Sequence, residues 1–211
     1  MLIITIKQGK EKPLLAGDPW IYLSAIERVD GKPQELKKPG ATALVQSSSR
    51  QFIARAAYNA KSQIAARIWT LREDEPIDHA LIKRRVQAAL QRRMGPWRTA
   101  DPQALFQLVD GEKDGLPGLL VHSYGGPEGY LVCQFNAAGV ELWKVAVVQA
   151  LLKETGCPNV YERCGELLRQ GEGLAVFPRA LAGDEPPQKL MVRDGKRIAP
   201  MDIRTGFTYP R

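Results

Sequence analysis

Short apolar runs separated by turn residues fill the first seventy residues of the chain. Apolar and β-branched residues predict four strands there, at residues 3–6, 42–45, 52–58 and 64–69. Turns are predicted where Gly and Pro cluster, at residues 30–33 and 38–40. Several short strands in so small a unit are typical of a compact β-barrel-like module with one or two helical turns.

A helical period replaces this pattern after the charged segment at residues 72–76. Apolar residues at positions 77, 81, 82, 86, 89 and 90 form one stripe and predict a helix over residues 77–93. Pro76 then lies at the first turn of this helix, and Gly95-Pro96 ends it. The opposite face of the helix is basic, which makes it a second candidate for contact with a nucleic acid.

Strand and helix patterns alternate beyond residue 100. Strands are predicted at residues 106–109, 119–121, 130–135 and 160–162, with an apolar helix over residues 140–153. Pro and Gly are frequent after Ala182, and we interpret that part as a linker. The pattern as a whole predicts an α+β fold, with a small β domain over residues 1–72 and a mixed α/β domain over residues 73–190.

Composition excludes disordered, collagenous and membrane-spanning classes. Hydrophobic residues make up 44% and charged residues 25% of the 211-residue chain, as in ordinary globular proteins. The longest apolar stretch, at residues 145–152, is too short to span a bilayer. The first seven residues carry no basic segment ahead of their apolar residues, unlike a secretory signal. We therefore expect a cytoplasmic protein without a membrane partner.

The cysteines and histidines predict neither disulfides nor a metal site. Cys133, Cys157 and Cys164 are odd in number and form no Cys-x-x-Cys pair. Buried or half-buried thiols in a reducing compartment are the interpretation we prefer. His79 and His122 lie too far apart in sequence, and too far from other ligand types, to indicate a metal centre.

The positive charge is concentrated in the first hundred residues. The chain has a net charge of +7, to which residues 1–70 contribute +6, residues 71–100 contribute +3 and residues 101–211 contribute −2. Aromatic and amide side chains are interleaved with these charges, which favours binding to a phosphate backbone over a merely solvated surface. We predict salt-sensitive RNA binding through Lys7, Lys10, Lys12, Trp20, Arg55, Tyr58, Arg67, Arg84 and Arg85.

Trp20 has two open interpretations. It follows Pro19 in a Gly-Asp-Pro-Trp turn, where its ring could present a face to an unstacked base. Its apolar neighbours Ile21 and Leu23 favour packing in the core of the β domain, which we rank slightly ahead.

Two long runs carry a resemblance to a known family. The first begins at Lys7-x-Gly9-Lys10, passes through Gly17-Asp18-Pro19-Trp20, and closes with the run from Ser62 to Thr70. The second is Gly111-Glu112-Lys113-Asp114-Gly115-Leu116-Pro117-Gly118-Leu119, followed later by Tyr161-Glu162-Arg163 and by Arg169-Gln170-Gly171-Glu172-Gly173. In these residues the chain resembles the amino-terminal half of the class I S-adenosylmethionine-dependent ribosomal RNA large-subunit (cytosine-C5) methyltransferases.

The resemblance implies a PUA domain, which is a small RNA-binding pseudobarrel, followed by a central α/β domain. It implies that residues 191–211 are a truncated lead-in to a Rossmann-like methyltransferase domain that this chain lacks. The family usually has a basic residue where Gln107 stands and an acidic one where His122 stands. On this interpretation S-adenosylmethionine is expected only with the missing domain, and ribosomal RNA is the expected partner. A homodimer is left open.

We predict no catalytic or cofactor-binding residue in this chain. Asp184-Glu185-Pro186-Pro187 only mimics the family's Asp-Pro-Pro motif, and the loop at residues 165–173 opens no convincing βαβ unit. Cys164 is the best-placed thiol for nucleophilic attack, but no pocket for a base accompanies it in the sequence. Three hypotheses remain: a non-catalytic RNA-binding module, a fragment of an intact methyltransferase, and a protein-interaction scaffold.

Overall fold

The computed structural model describes residues 1–210, apart from the side chain of Asp194, so that Arg211 of the expected lead-in lies outside the described residues. The first sheet has six strands in the order β2-β6-β5-β4-β1-β3. β1 lies between β3, to which it is antiparallel, and β4, to which it is parallel. The strands are β1 (Leu2–Ile6), β2 (Trp20–Ile21), β3 (Ile26–Asp30), β4 (Ala41–Gln46), β5 (Phe52–Tyr58) and β6 (Ala66–Thr70).

The four strands predicted in this region are confirmed, whereas β2 and β3 were missed. β3 has the sequence Ile-Glu-Arg-Val-Asp and buries only its first residue fully. As an edge strand it is half solvated, which removes most of its apolar signal. Two four-residue helices, α1 (Lys12–Leu15) and α2 (Pro33–Leu36), supply the expected helical turns. The core of this sheet is built from small and β-branched residues that include Ile4, Ile21, Ala43, Val45 and Ala56.

The predicted basic helix exists, but its ends differ from the prediction. α3 (His79–Gln91) begins after Asp78, whose carboxylate accepts a hydrogen bond from the Leu81 N–H at 2.8 Å. Pro76 therefore precedes the helix instead of lying in its first turn, because the Asp78 side chain caps the helix. Gly95 and Pro96 belong to a second short helix, α4 (Met94–Thr99). The predicted stripe is confirmed: the side chains buried along α3 are those of Leu81, Ile82, Val86, Ala89 and Leu90.

The second sheet has five strands in the order β11-β10-β9-β8-β7. Strands β7, β8 and β9 form an antiparallel meander, and β10 pairs in parallel with β9. Helices α3 and α6 pack on one face of this sheet and share its hydrophobic core. Its elements are β7 (Phe106–Asp110), β8 (Leu119–Tyr124), β9 (Tyr130–Phe135), β10 (Asn159–Glu162) and β11 (Arg179–Ala182), with helices α5 (Ala138–Glu141), α6 (Lys144–Thr155) and α7 (Glu166–Gly171).

A third sheet follows, where the sequence predicted only a linker and a lead-in. It comprises β12 (Leu190–Asp194), β13 (Arg197–Asp202) and β14 (Phe207–Thr208). Val192 and Ile203 pack against Tyr124 and Val132 on the face of the second sheet that α3 and α6 leave free. The Asp194-Gly195 dipeptide, with apolar residues at 190–192 and at 198–199, is a hairpin signal that could have found this element. The linker is confined to residues 183–189.

No helix within residues 1–210 is both long enough and apolar enough to cross a membrane.

Candidate nucleic-acid interface

Exposed lysine and aromatic side chains are concentrated in the segment between β1 and β3, which includes α1 and β2. We call it the 7–23 surface; its members are Lys7, Lys10, Lys12, Trp20, Tyr22 and Leu23. Lys7 is anchored, because its Nζ donates a hydrogen bond to the Ser24 carbonyl at 2.9 Å. Among the described residues none of the three lysines forms an ion pair, so their charges are available to an anionic partner.

Trp20 lies at the edge of the sheet and not in its core, which corrects the preferred interpretation. Strand β2 alternates its side chains, so Ile21 is fully buried while Trp20 remains 37% exposed. The indole N–H donates to Glu112 Oε1 at 3.0 Å, which fixes the edge of the ring. The neighbouring Tyr22 is 45% exposed. Two exposed aromatic rings and three lysines without an ion pair among the described residues thus lie within the same segment of the chain.

Arg84 and Arg85 differ in what they leave for a ligand. The Arg85 guanidinium donates to the carbonyls of Trp69 and Gly115 at 2.7 and 2.6 Å and pairs with Glu75 at 3.1 Å. Burial lowers the pKa of this side chain. Arg84 is exposed, but it also pairs with Glu75, at 2.7 Å. The Arg85 guanidinium is therefore occupied within the fold, whereas the Arg84 side chain is exposed beside its ion pair with Glu75. Contact of either residue with RNA stays a prediction.

Arg55 and Tyr58 lie on β5 and are largely used by the fold. The Arg55 guanidinium donates twice to the Glu73 carbonyl, at 3.2 and 2.9 Å. Tyr58 is 7% exposed and packs in the core of the first sheet, and burial raises the pKa of its hydroxyl. A buried ring offers no face to a base, so the prediction of Tyr58 as an RNA contact is corrected.

Arg67 is also an internal residue, because its side chain lies between two carboxylates. Its Nη1 donates to Glu112 Oε1 at 3.3 Å, and its Nη2 donates to Glu172 Oε1 at 3.2 Å. Only 15% of the Arg67 side chain is exposed. The Arg67 guanidinium is therefore occupied within the fold, and its contact with RNA phosphates stays a prediction.

Glu172 is the centre of this network, and the sequence did not single it out by function. Its Oε1 accepts a second bond from the Ser62 hydroxyl at 2.6 Å. Its Oε2 accepts from Asn59 Nδ2 at 3.1 Å and from the Ala138 N–H at 3.2 Å. The network thus ties the first sheet, which carries the 7–23 surface, to the loop after α7 and to the start of α5. The motif residues noted in the sequence meet here in space.

Asp114, from the second motif run, has a comparable structural role. It pairs with Arg92 at 2.6 Å and with Arg93 at 3.0 Å, at the end of α3. Burial acts to raise the pKa of its carboxyl, but the Asp110 N–H and the two guanidiniums hold that pKa below its ordinary value. Because a buried carboxylate with several donors stays ionised, this motif fixes α3 onto the second sheet.

The three thiols are not in a nucleophile's environment. Burial raises the pKa of Cys133, Cys157 and Cys164 above the ordinary value, and all three are free thiols. A thiolate is the reactive form, so none of them is activated at neutral pH. Within residues 1–210 no group of three or more potential ligand side chains is close enough together to hold a metal ion.

Comparison with known proteins adds the evolutionary context. The sequence profile of a PUA-like domain matches residues 4–71. The ribosomal RNA large subunit methyltransferase I of Erwinia tasmaniensis is 35% identical over 204 residues, which cover 96% of this chain and 49% of that protein. The enzyme of the same name from Vibrio cholerae is 36% identical over 209 residues, covering 97% and 50%. The chain is homologous to these methyltransferases. It spans about half the length of the relatives it matches.

Solved structures share the fold over the whole chain. A protein from Streptococcus mutans, assigned as a SAM-dependent methyltransferase, superimposes with a TM-score of 0.76 at 12% sequence identity, over 99% of this chain and 50% of that one. A second protein assigned as a methyltransferase, solved in complex with SAH, superimposes with a TM-score of 0.75 over the same shares. The fold is therefore shared with these two structures over 99% of this chain.

Proposed function

We propose that this chain recognises ribosomal RNA through the 7–23 surface of its PUA-like domain. The observation that carries the proposal is that residues 7–23 of that domain hold three exposed lysines, without an ion pair among the described residues, and two exposed aromatic rings. The homologous proteins are named as methyltransferases of the large-subunit ribosomal RNA. Their names support RNA as the partner of this chain. The three free thiols fit the reducing cytoplasm in which such an RNA is found.

The chemistry of recognition follows from what the surface exposes. Lys7, Lys10 and Lys12 neutralise phosphates and release counterions, which supplies affinity without sequence preference. Trp20 and Tyr22 offer ring faces on which unpaired bases stack, the usual mode in single-stranded loops of structured RNA. Because the Trp20 indole is held by Glu112, its ring is already oriented before RNA binds, which lowers the entropy lost on binding.

Trp20 variants test this proposal directly. We expect Trp20→Ala to weaken binding to ribosomal RNA fragments by about 1–3 kcal/mol, the value of one stacked base, with a small change in melting temperature because the ring is outside the core. Trp20→Phe keeps a ring face but loses the bond to Glu112, and should retain most of the affinity. Filter binding and thermal denaturation measure the two quantities. If the unsubstituted chain binds no RNA, the proposal fails and the scaffold hypothesis gains.

We also propose that methyl transfer needs residues outside this chain. Binding of the methyl donor S-adenosylmethionine would need a glycine-rich turn and a free carboxylate. The turn at residues 171–173 does not fit, because both of its candidate groups are already used: the Glu172 carboxylate lies in the Arg67 network, and the side chain of Lys61 fills the space beside Gly173. The second sheet is antiparallel from β7 to β9, unlike the parallel sheet of a Rossmann-like domain.

The cofactor proposal is tested with S-adenosylmethionine itself. Calorimetry on the 211-residue chain should show no saturable binding, and a tritiated-methyl assay on unmodified ribosomal RNA should stay at background. The methyltransferase I of Vibrio cholerae serves as the control for an active assay. Micromolar binding by this chain would overturn the proposal and would direct attention back to the loop at residues 165–173.

A further inference from the structure

A cleft of about 360 Å³ opens between the second and third sheets, and no residue of the 7–23 surface lines it. Its floor is the face of the second sheet opposite α3 and α6, and its far wall is the turn that leads into β14. The residues that line it are Tyr124, Gln134, Arg163, Cys164, Gly165, Met201, Thr205 and Gly206. A volume near the lower end of the range for ligand pockets, about 300–1,000 Å³, suits a small molecule or a single nucleotide.

Arg163, like Arg55, is half-buried and has no carboxylate partner among the described residues, but Arg55 donates twice to the Glu73 carbonyl. Arg67, Arg85 and Arg204 each pair with a carboxylate, at 3.3 Å or less. The side-chain contact that Arg163 makes within the described residues is a long one, from Nη1 to the Tyr124 hydroxyl at 3.4 Å, and it forms no ion pair there. A guanidinium that is partly withdrawn from water and lacks a counter-charge can bind an anion.

The neighbours of Arg163 do not neutralise it. His122 and Tyr124 lie on the same face of β8. Burial and the nearby Arg163 lower the pKa of His122, so the imidazole is neutral at pH 7, and its Nδ1 is buried without a hydrogen-bond partner among the described residues. Gln134 lies at the end of β9, and its amide forms no hydrogen bond within the described part of the chain. The cleft therefore combines an uncompensated guanidinium with an unused amide.

We propose that this cleft binds the phosphate group of a nucleotide-sized ligand, with Arg163 as the principal contact and Gln134 as the second donor. A phosphate presents several oxygen acceptors in different directions, and the fork of a guanidinium matches two of them. Gly206 leaves room for the Arg163 guanidinium in the cleft, since a Cβ at that position would lie 3.1 Å from Arg163 Nη1. The site lies on other elements than the RNA surface proposed above and is independent of it.

Cys164 provides a local reporter for the test. It lines the cleft and is half-buried, whereas Cys133 and Cys157 are buried. A ligand beside Arg163 should slow alkylation of Cys164, followed by mass spectrometry at a pH high enough to ionise the thiol. We expect protection that saturates with inorganic phosphate and with adenosine 5′-monophosphate. Acetate at equal ionic strength should not protect; equal protection by acetate would overturn the assignment to phosphate.

Substitutions then locate the site. Arg163→Gln should weaken protection by adenosine monophosphate at least about tenfold, the range for losing one charge-assisted contact. Arg98→Gln, which removes an exposed arginine without an ion pair among the described residues, should leave it unchanged. Binding that neither variant alters would refute the proposal, as would the absence of protection by either phosphate probe.

Two further experiments distinguish a phosphate on an RNA end from one on a free nucleotide, and the cleft proposal from the proposal of the RNA surface. A short RNA with a 5′-phosphate that protects better than adenosine monophosphate would assign the cleft to an RNA end, and the reverse order would assign it to a free nucleotide. Replacing Lys7, Lys10 and Lys12 together by Gln should leave Cys164 protection by adenosine monophosphate intact. A result that contradicts the phosphate site in the cleft can thus be distinguished from one that contradicts RNA binding by the 7–23 surface.

Discussion

Replacing Glu172 by alanine is expected to destabilise the folded chain by about 3–5 kcal/mol, the range for breaking a buried charge pair. The Glu172 side chain is 7% exposed, and its two oxygens accept four hydrogen bonds. Its loss leaves the Arg67 guanidinium with Glu112 alone and leaves Asn59, Ser62 and the Ala138 N–H without that acceptor. Buried donors without a partner carry the desolvation penalty in full. Chemical denaturation followed by circular dichroism measures the change.

Glu166→Ala is the matched control for this prediction. Glu166 lies in α7, six residues before Glu172, is exposed, and bonds only Gln170 in the described structure. Its removal should cost less than about 1 kcal/mol, as for other surface polar residues. If both variants were equally stable, the Arg67–Glu172 network would not hold the first sheet to the rest of the chain.

The triple substitution of Lys7, Lys10 and Lys12 by Gln should change RNA binding more than any single variant. Each phosphate contact contributes about −0.7 to −0.9 to the slope of log affinity against log salt. Three contacts therefore account for a roughly 20- to 40-fold loss of affinity between 50 and 200 mM salt. The variant should bind more weakly at 50 mM and lose less affinity on going to 200 mM. Filter binding at the two salt concentrations gives both values.

A second triple variant controls for net charge. Lys32, Lys37 and Lys38 are exposed and lie outside the 7–23 surface, so replacing them by Gln removes the same charge elsewhere. This variant should keep the salt slope of the unsubstituted chain. Equal slopes for the two triple variants would show that RNA responds to total charge and would contradict a localised surface.

Apolar periodicity predicted the interior of the fold well. The stripe on α3 and the strands of the β7–β9 meander could be found because each buries one complete face. β3 and the third sheet escaped because they are edge or surface strands with charged residues and Pro in their sequence. The first residue of α3 was not predicted correctly because it depends on the Asp78 cap. That cap is a side-chain contact that periodicity does not encode.

The candidate site was only partly predictable, for a different reason. The sequence shows how many charged residues the chain has but not which of them form ion pairs. The carboxylate partners of Arg67 and Arg85 lie between 10 and 105 residues away along the chain. Such long-range pairs turn arginines from surface contacts into internal ones. Lys7, Lys10 and Lys12 are exposed and form no ion pair among the described residues, and their contact with RNA stays a prediction. Trp20 needed the strand register, because one position decides whether a ring faces the core or the solvent.

The separation of Arg67 and Glu172 by 105 residues also has a kinetic meaning. At about 5–20 residues per second of translation, Arg67 is synthesised roughly 5–20 s before its partner is made. All six strands of the first sheet are synthesised within the first 70 residues, so a nascent PUA-like domain can assemble while Arg67 still faces water. The Glu172 carboxylate is made later, so its ion pair with Arg67 forms after the strands of the nascent domain have been synthesised. That ion pair then fixes the orientation of the domain relative to the rest of the chain.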